Sequence, residues 1–373
     1  MMLDEHLGYV SDSIRLAGYQ AAIAKVVAKG STVADLGSGS GVLGLLCLQA
    51  GAGRLFAVDD SDMLEVARET LTRSGYGDCS SFIRGKSSQI ELPERVDVVI
   101  CDHVGYFGFD YGVVEFFADA RKRFLKPGGT LIPSSIRLNV SAVGAQRCDE
   151  LVNGWCAEGI PEDFHWLRTH AVNTKHAVNL ERGDVLAAPA VLGDIDLHAD
   201  NPEFFSWNAE LRIERDGLMH GLAGWFECEL AEGVWMTNSP QAEAPIRRSQ
   251  AFLPIDEAVE VKAGDTVRAT VMARPADHLI AWVVEFPATG QRFAHSTWQG
   301  QLLTREQLMQ RNPAHVPQLG RKGQATATVL GYCDGQRTVA EIEKAVLHDH
   351  PDLFPSAGEI SGFVAKILGR DAE

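Results

Sequence analysis

The stretch VADLGSGSG, residues 33–41, decides how the first third of the chain folds. An apolar, β-branched run ends at Asp35, and three glycines follow at alternate positions, Gly37, Gly39 and Gly41, directly before an apolar helical pattern. Glycine lets the backbone turn sharply and lets a ligand approach with no side chain in the way. A strand, a glycine turn and a helix in this order indicate a nucleotide-binding loop.

Two ligands compete for this loop. A nicotinamide dinucleotide prefers Gly-x-Gly-x-x-Gly, with its pyrophosphate on the helix N-terminus. Here Val42 stands where the third glycine belongs, and Asp35 would repel a pyrophosphate. Asp35 suits S-adenosylmethionine (SAM), which carries an ammonium and a sulfonium group. Asp59 ends the next predicted strand, about 20 positions after the first glycine, where a carboxylate commonly binds a ribose diol. We therefore predict a SAM site; the alternative is a glycine turn without a ligand.

Composition restricts the class of protein. A chain of 373 residues predicts two or three domains. The formal net charge of −16 argues against a nucleic-acid partner and mildly favours a cationic ligand, although solubility explains it more simply. No apolar run reaches the roughly 18–20 residues of a membrane span, and the N-terminus lacks a signal-peptide pattern. The 7 cysteines are scattered without metal-ligand spacing. We expect a cytoplasmic protein with no metal and no membrane or nucleic-acid partner.

The rhythm of the sequence changes twice and predicts three domains. Residues 1–134 alternate strands and helices, which predicts an α/β fold with a parallel, Rossmann-like sheet. Residues 135–303 alternate apolar and polar positions between turns, which predicts an antiparallel β-barrel with a helix-compatible insert near 147–180. Residues 304–373 predict a small helical module. The predicted strands of the first domain are 31–36, 54–59, 81–85, 96–101 and 128–133, and its clearest helices are 42–50 and 61–75.

The loop CDHVGYFGFDYG, residues 101–112, follows a buried strand and fits neither a helix face nor an alternating strand. Four of its side chains are candidates for a catalytic site: Asp102, His103, Tyr106 and Asp110. Asp102 would orient an acceptor N–H and stabilise the charge that grows on the acceptor nitrogen, with Asp110 or Glu115 as partner. His103 would serve as a general base and Tyr106 as a pocket wall. Structural roles, as loop caps or packing groups, are the alternatives.

Over about residues 6–300 the sequence resembles the protein arginine methyltransferases. Residues 33–61 are similar to that family's glycine motif and acidic strand end, and residues 85–106 to the segment that holds adenine and enters the acceptor loop. Residues 123–135 look like its last Rossmann strand, and residues 217–230 and 259–275 like its β-barrel. The resemblance implies that fold, the use of SAM, and a homodimer, because the insert lies where the family carries a dimerisation arm.

The resemblance also assigns cofactor-binding residues. Arg15 would meet the SAM carboxylate from an N-terminal helix that closes over the cofactor, and Ser88 stands where the family has an acid. The full implied set is His6, Arg15, Asp35, Gly37, Gly39, Gly41, Asp59, Asp60, Ser87 and Ser88.

The acceptor site departs from the family pattern. The family clamps a guanidinium between two glutamates; here the first position is Asp102 and the second falls on Tyr111, next to Asp110. A Thr-His-Trp loop is replaced by Ile246-Arg247-Arg248, and two arginines would repel a guanidinium but welcome a carboxylate, a phosphate or the acids of the loop.

These observations predict a SAM-dependent N-methyltransferase with an atypical acceptor site. Its acceptor would be a peptide or an amino-acid-like compound, methylated on an arginine or histidine nitrogen, in natural-product biosynthesis. An O-methyltransferase of a small metabolite and a SAM-binding pseudo-enzyme that recruits a partner are the alternatives. The stretch 326–368 resembles the helical half of PqqD-type domains, which implies leader-peptide binding. A helical cap that only supports the fold is the competing interpretation.

Overall fold

A computed structural model describes residues 3–354 and 356–372. The chain forms two compact units, residues 1–301 and residues 302–373, and each is described by itself. Within the described part of the chain, none of the helices has the length and apolarity that a bilayer span requires.

The first part of the larger unit is a parallel sheet with helices. Its elements are α1 Leu3–Ser11, α2 Ser13–Val26, β1 Thr32–Leu36, α3 Val42–Gln49, β2 Arg54–Asp59, α4 Met63–Arg73, β3 Ser80–Arg84, β4 Val96–Ile100, α5 Val113–Arg123 and β5 Leu125–Ile132. The five strands pair in the order β3-β2-β1-β4-β5, and every pair is parallel. The α/β prediction is confirmed, with all five predicted strands present.

This strand order positions a site. The chain runs outward from β1 to β3, then returns to pair β4 with the other edge of β1. Ligands of open parallel sheets bind at such a switch point, beyond the carboxyl ends of the strands. Asp35 in β1 pairs with Ala57 in β2 and with Ile100 in β4, so these ends lie side by side. The glycine loop and the loop after β4 therefore leave the sheet at neighbouring points.

The rest of the larger unit is antiparallel. Its elements are β6 Ser135–Val143, α6 Gln146–Asn153, α7 Leu167–Ala171, β7 His176–Val178, β8 Ala190–Asp196, β9 Phe205–Arg212, β10 Gly217–Ala231, β11 Val234–Thr237, β12 Gln250–Val261, β13 Thr266–Arg274, β14 Leu279–Phe286 and β15 Gln291–Ser296. One sheet has the order β7-β12-β10-β6-β8, with β11 on β10; the other has the order β15-β14-β13-β9. The antiparallel prediction is confirmed, and closure into a barrel stays a prediction; helices α6 and α7 lie in the region of the predicted insert.

The smaller unit is helical. Its helices are α8 Arg305–Gln310, α9 Arg321–Gly331, α10 Val339–Asp349 and α11 Ala357–Asp371. Thr338 and Glu341 form a capping box at the start of α10, and Ser356 caps α11 through the Glu359 N–H. The core of this unit contains Val329, Ile342, Val346, Ile360, Val364 and Ile367. Between residues 302 and 372, the described part contains helices and connecting loops and no strand.

Candidate active site

The loop from β1 to α3 adopts backbone angles that favour glycine. Gly37, Gly39 and Gly41 have φ values of +69°, +50° and +80°, in the left-handed region. A Cβ atom on Gly37 would lie 2.8 Å from Nε2 of His103, and one on Gly39 would lie 2.7 Å from Cε1 of His6. The loop backbone therefore packs directly against two histidines of the predicted site.

Two carboxylates at the ends of β1 and β2 hold this loop. Asp59 accepts hydrogen bonds from the Gly39 N–H at 2.8 Å and from the Ser61 N–H at 2.9 Å. Asp35 accepts one from the Gly44 N–H at 2.8 Å and is only 1% exposed. Burial raises the pKa of the Asp35 carboxyl to about 7. Asp35 therefore holds the start of α3 from inside the fold.

A cavity of about 590 Å³ lies at the switch point. Among the described residues that line it are eight of the ten predicted cofactor contacts: His6, Arg15, Gly37, Gly39, Asp59, Asp60, Ser87 and Ser88. Asp35 and Gly41 belong to the same turn but are not in that lining. Ser38 lines this cavity, and its hydroxyl is buried and has no hydrogen-bond partner within the described chain. Bare glycine backbone, a strand-end carboxylate and an unused hydroxyl fit a nucleoside that carries an amino-acid tail.

Asp102 follows β4, lines the same cavity and is the centre of an ion cluster. Its Oδ2 accepts hydrogen bonds from Nε of Arg15 at 2.6 Å and from Nη2 of Arg248 at 3.1 Å. Its Oδ1 accepts one from the Tyr19 hydroxyl at 3.0 Å. Burial alone would raise the pKa of Asp102, but attraction to Arg248 and Arg15 outweighs it and holds the pKa below its ordinary value. Asp102 is therefore ionised and paired with two guanidinium groups.

Arg248 comes from the loop before β12. Its side chain is 12% exposed, and its Nη1 also donates to the backbone carbonyl of Val104 in the acceptor loop. Burial opposes its charge, yet Asp102 keeps the pKa of Arg248 above its ordinary value. Of the partners that the sequence left open for the two arginines, Arg248 binds an acid of the loop itself.

Asp110 has a different environment from Asp102. Its carboxylate is 3% exposed, accepts the Phe107 N–H at 2.9 Å, and forms an ion pair with Lys175. Nζ of Lys175 lies 4.0 Å from the centre of the Tyr106 ring. Burial, followed by Asp110, raises the pKa of Tyr106 to about 12. Asp110 and Tyr106 are absent from the described lining of the large cavity, so they brace the acceptor loop from behind.

His103 and Glu115 complete the acceptor side of the cavity. The His103 ring stacks on Phe116 with centroids 5.0 Å apart. Desolvation lowers the pKa of His103 despite attraction from Asp102, so the imidazole is neutral at neutral pH and can accept a proton. Glu115 lines the cavity from the first turn of α5 and is exposed, and Tyr111 lines it as well.

Comparison with known proteins identifies the chain. Residues 33–129 match a family model described as a methyltransferase domain, and residues 138–284 match the arginine methyltransferase oligomerization subdomain. An arginine N(omega)-methyltransferase of Streptomyces achromogenes subsp. streptozoticus is 30% identical over 270 residues, which cover 70% of this chain and 74% of that protein. Protein arginine N-methyltransferase 6 of Xenopus laevis is 28% identical over 286 residues, 73% of this chain and 84% of that one.

Solved structures agree in fold. The Trypanosoma brucei PRMT1 enzyme–prozyme heterotetrameric complex with AdoHcy superposes with a TM-score of 0.69 at 21% identity, covering 78% of this chain and 96% of that one. Arabidopsis thaliana protein arginine methyltransferase 10 gives 0.67 at 20% identity, covering 79% and 98%. The fold and the cavity define a SAM-dependent methyltransferase. The chain belongs to the protein arginine methyltransferase family.

Sequence reasoning missed two residues of the site. Lys175 lies within the insert, between α7 and β7, and gives no local signal that it pairs with Asp110, 65 positions earlier. Tyr19 lies on α2, the helix that carries Arg15, but its hydrogen bond to Asp102 spans 83 positions. Its position one helical turn after Arg15 was the only hint in the sequence.

Proposed function

We propose that the protein methylates a side-chain nitrogen of an amino-acid-like or peptide acceptor, arginine or histidine, in natural-product biosynthesis. The carrying observation is the state of Asp102. It stands where the family places a guanidinium-binding glutamate, lies in the cofactor cavity, and is paired with Arg15 and Arg248. An acceptor nitrogen would therefore meet at Asp102 an ionised carboxylate that can accept its N–H while two guanidinium groups hold that carboxylate in place.

The remaining groups support a nitrogen acceptor. Glu115 offers a second carboxylate on the cavity wall, and His103 offers a neutral imidazole beside it. A carboxylate orients an acceptor N–H and stabilises the positive charge that grows on nitrogen, whereas a carboxylate or phenolate acceptor loses negative charge on methylation and would be repelled by it. The name of the Streptomyces relative, an arginine N(omega)-methyltransferase, also supports a guanidine nitrogen as the acceptor atom.

The chain's own residues perform positioning and proton handling. When bound, SAM supplies a methyl group on an electron-poor sulfonium. Gly37 and Gly39 leave room for that ligand, and Asp59 is the proposed ribose contact. Asp102 and Glu115 would orient the acceptor nitrogen in line with the methyl group at about 3–3.5 Å, from which most of the acceleration comes. His103 would take the proton that the methylated nitrogen releases.

The test is a direct assay of methyl transfer by mass spectrometry with SAM and four acceptors: L-arginine, L-histidine, and a blocked peptide containing each residue. We expect a mass increase of one methyl group on at least one acceptor. Asp102→Asn should lower turnover about 100-fold and leave SAM affinity nearly intact. Asp194→Asn is the matched control, because Asp194 also pairs with an arginine but is 58% exposed. Equal turnover in the Asp102 variant would remove this carboxylate from the chemistry.

The pseudo-enzyme alternative makes the opposite prediction. It requires SAM binding without transfer to any acceptor. The glycine loop, the Asp59 contact and the unused Ser38 hydroxyl support an intact cofactor wall, which both hypotheses require, so the methyl-transfer assay is what separates them.

Two partners are also proposed. The insert that carries α6 and α7 exposes Trp155, Phe164 and Trp166, and we propose that it forms a homodimer contact. Trp166→Glu should then convert a dimer to a monomer in light scattering.

We further propose that residues 302–373 deliver a leader peptide, as PqqD-type domains do. Because their described part contains helices and no strand, the peptide would bind a helical surface. Deleting residues 302–373 should weaken methylation of a leader-bearing peptide and spare a small acceptor; loss of folding would favour a cap.

A further inference from the structure

A second cavity, of about 230 Å³, adjoins the first one and has a different chemistry. The residues that matter for its chemistry are Tyr9, Asp12, Arg15, Arg247 and Arg248. Tyr9 and Arg15 line both cavities, whereas the described lining of the larger cavity includes neither Arg247 nor Arg248. The two cavities therefore meet at Arg15, beside the ionised Asp102.

The second cavity carries an excess of positive charge. Its lining carries three arginines, Arg15, Arg247 and Arg248, against the carboxylate of Asp12, and the neighbouring Asp102 pairs with Arg15 and Arg248. Both oxygens of Asp12 already accept hydrogen bonds from backbone N–H groups, that of Arg15 at 3.1 Å and that of Arg247 at 2.7 Å. Arg15 and Arg248 share Asp102, so within the described residues of this cavity the Arg247 guanidinium has no carboxylate partner, in a chain whose formal net charge is −16. A local excess against the overall charge indicates a site for one anionic group.

The arginines also have donors to spare. A guanidinium has five N–H groups. Arg248 gives one to Asp102 and one to the Val104 carbonyl, and Arg15 gives one to Asp102 and one to the Tyr9 carbonyl. The side chain of Arg247 is exposed, and its backbone is fixed by Asp12. The planar arrangement of these donors matches a carboxylate.

We propose that this arginine-lined cavity binds the α-carboxylate of a free amino acid, while the side-chain nitrogen of that amino acid reaches the larger cavity. This inference rests on the proposed function and narrows its acceptor class. Within a peptide the same carboxylate is an uncharged amide, which would leave the excess positive charge without a partner. Arg248 then has two functions: it neutralises Asp102 and helps to hold the carboxylate of the acceptor.

The test is calorimetry on the full-length protein saturated with S-adenosylhomocysteine. The probes are two pairs that differ in the carboxylate, L-arginine against agmatine and L-histidine against histamine. For the pair that binds, the acid should bind about tenfold to hundredfold more tightly than the amine, since hydrogen bonds between charged groups have about that effect.

Variants locate the preference. Arg247→Gln should reduce the acid-to-amine ratio severalfold without altering the fold, because the Asp12 contact uses only the backbone. Arg248→Gln should bring the ratio close to one. Arg73→Gln is the matched control for charge, because Arg73 is 78% exposed on α4, and it should leave the ratio unchanged.

Three results would overturn the inference: a wild-type ratio of one or less, a loss of preference in Arg73→Gln equal to that in Arg248→Gln, or a blocked peptide that binds as tightly as the free amino acid. Failure of the proposed function looks different. In that case the carboxylate preference persists in calorimetry, yet SAM transfers no methyl group to any acceptor.

Discussion

Replacing Lys175 by methionine tests how the acceptor loop is held. The side chains of Lys175 and Asp110 are 14% and 3% exposed, so the variant leaves a carboxylate buried without its partner. Breaking a buried ion pair from one side costs about 3–5 kcal/mol. The contact between the Lys175 ammonium and the Tyr106 ring, at 4.0 Å, adds about 1 kcal/mol. We therefore expect the free energy of unfolding to fall by about 4–6 kcal/mol.

The assay is urea unfolding followed by fluorescence, with turnover measured in parallel. Adding Asp110→Asn to Lys175→Met should restore part of the lost stability, because the double variant no longer buries an unpaired charge. Arg73→Met is the control, since the exposed Arg73–Glu69 pair contributes only about 0.3–0.5 kcal/mol. Two results would refute the reasoning. One is a fall of less than about 1 kcal/mol in the free energy of unfolding of Lys175→Met; the other is a double variant that loses more stability than the two single variants together.

Three further predictions concern the cofactor side. Asp59→Ala should abolish SAM binding in calorimetry; unchanged affinity would refute the ribose assignment. Gly37→Ala should weaken SAM binding at least tenfold, since the left-handed φ of +69° and the His103 ring 2.8 Å from the new methyl both oppose it; normal affinity would contradict this. Asp35 has a pKa of about 7 against an ordinary 3.8, so its contribution to stability is complete below about pH 4 and is lost as the pH rises through 7, a change of about 4 kcal/mol. Asp35→Asn should make the free energy of unfolding nearly independent of pH between pH 4 and 7. If urea unfolding at several pH values shows the same dependence on pH in the variant as in the wild type, Asp35 is not its cause.

The sequence predicted the bounds of a strand correctly where the apolar pattern and the flanking residues indicate the same ends. Strand β2 was predicted at 54–59 and is observed as Arg54–Asp59, because a short apolar run there ends at an acid a few residues before a helix begins. Strand β5 was predicted at 128–133 but begins at Leu125. Lys126-Pro127-Gly128-Gly129 reads as a turn. Pairing with β4 overrides that propensity, and a register shift between Val96 and Val98 accommodates the extra residues.

The same division applies to the site. The glycine loop and Asp59 were readable because the residues that shape them lie within about 25 positions of one another. The pairing of Arg248 with Asp102 spans 146 positions, and it depends on how the antiparallel sheets meet the loop after β4. Because the sequence does not contain that geometry, it left three partners open for Arg248: a carboxylate, a phosphate or an acid of the loop.

Asp12 connects the N-terminal helices to the loop that carries Arg247, the arginine to which we assign a part in binding the acceptor. One of its oxygens caps α2, and the other fixes the backbone of Arg247. Thermodynamic coupling between two sites acts equally in both directions. If the proposed carboxylate site is occupied, an acceptor that fixes Arg247 should therefore also slow amide hydrogen exchange at the junction of the first two helices. On the same proposal, a fusion tag or truncation that disturbs this junction should weaken the carboxylate preference, although it removes none of the groups that touch the ligand.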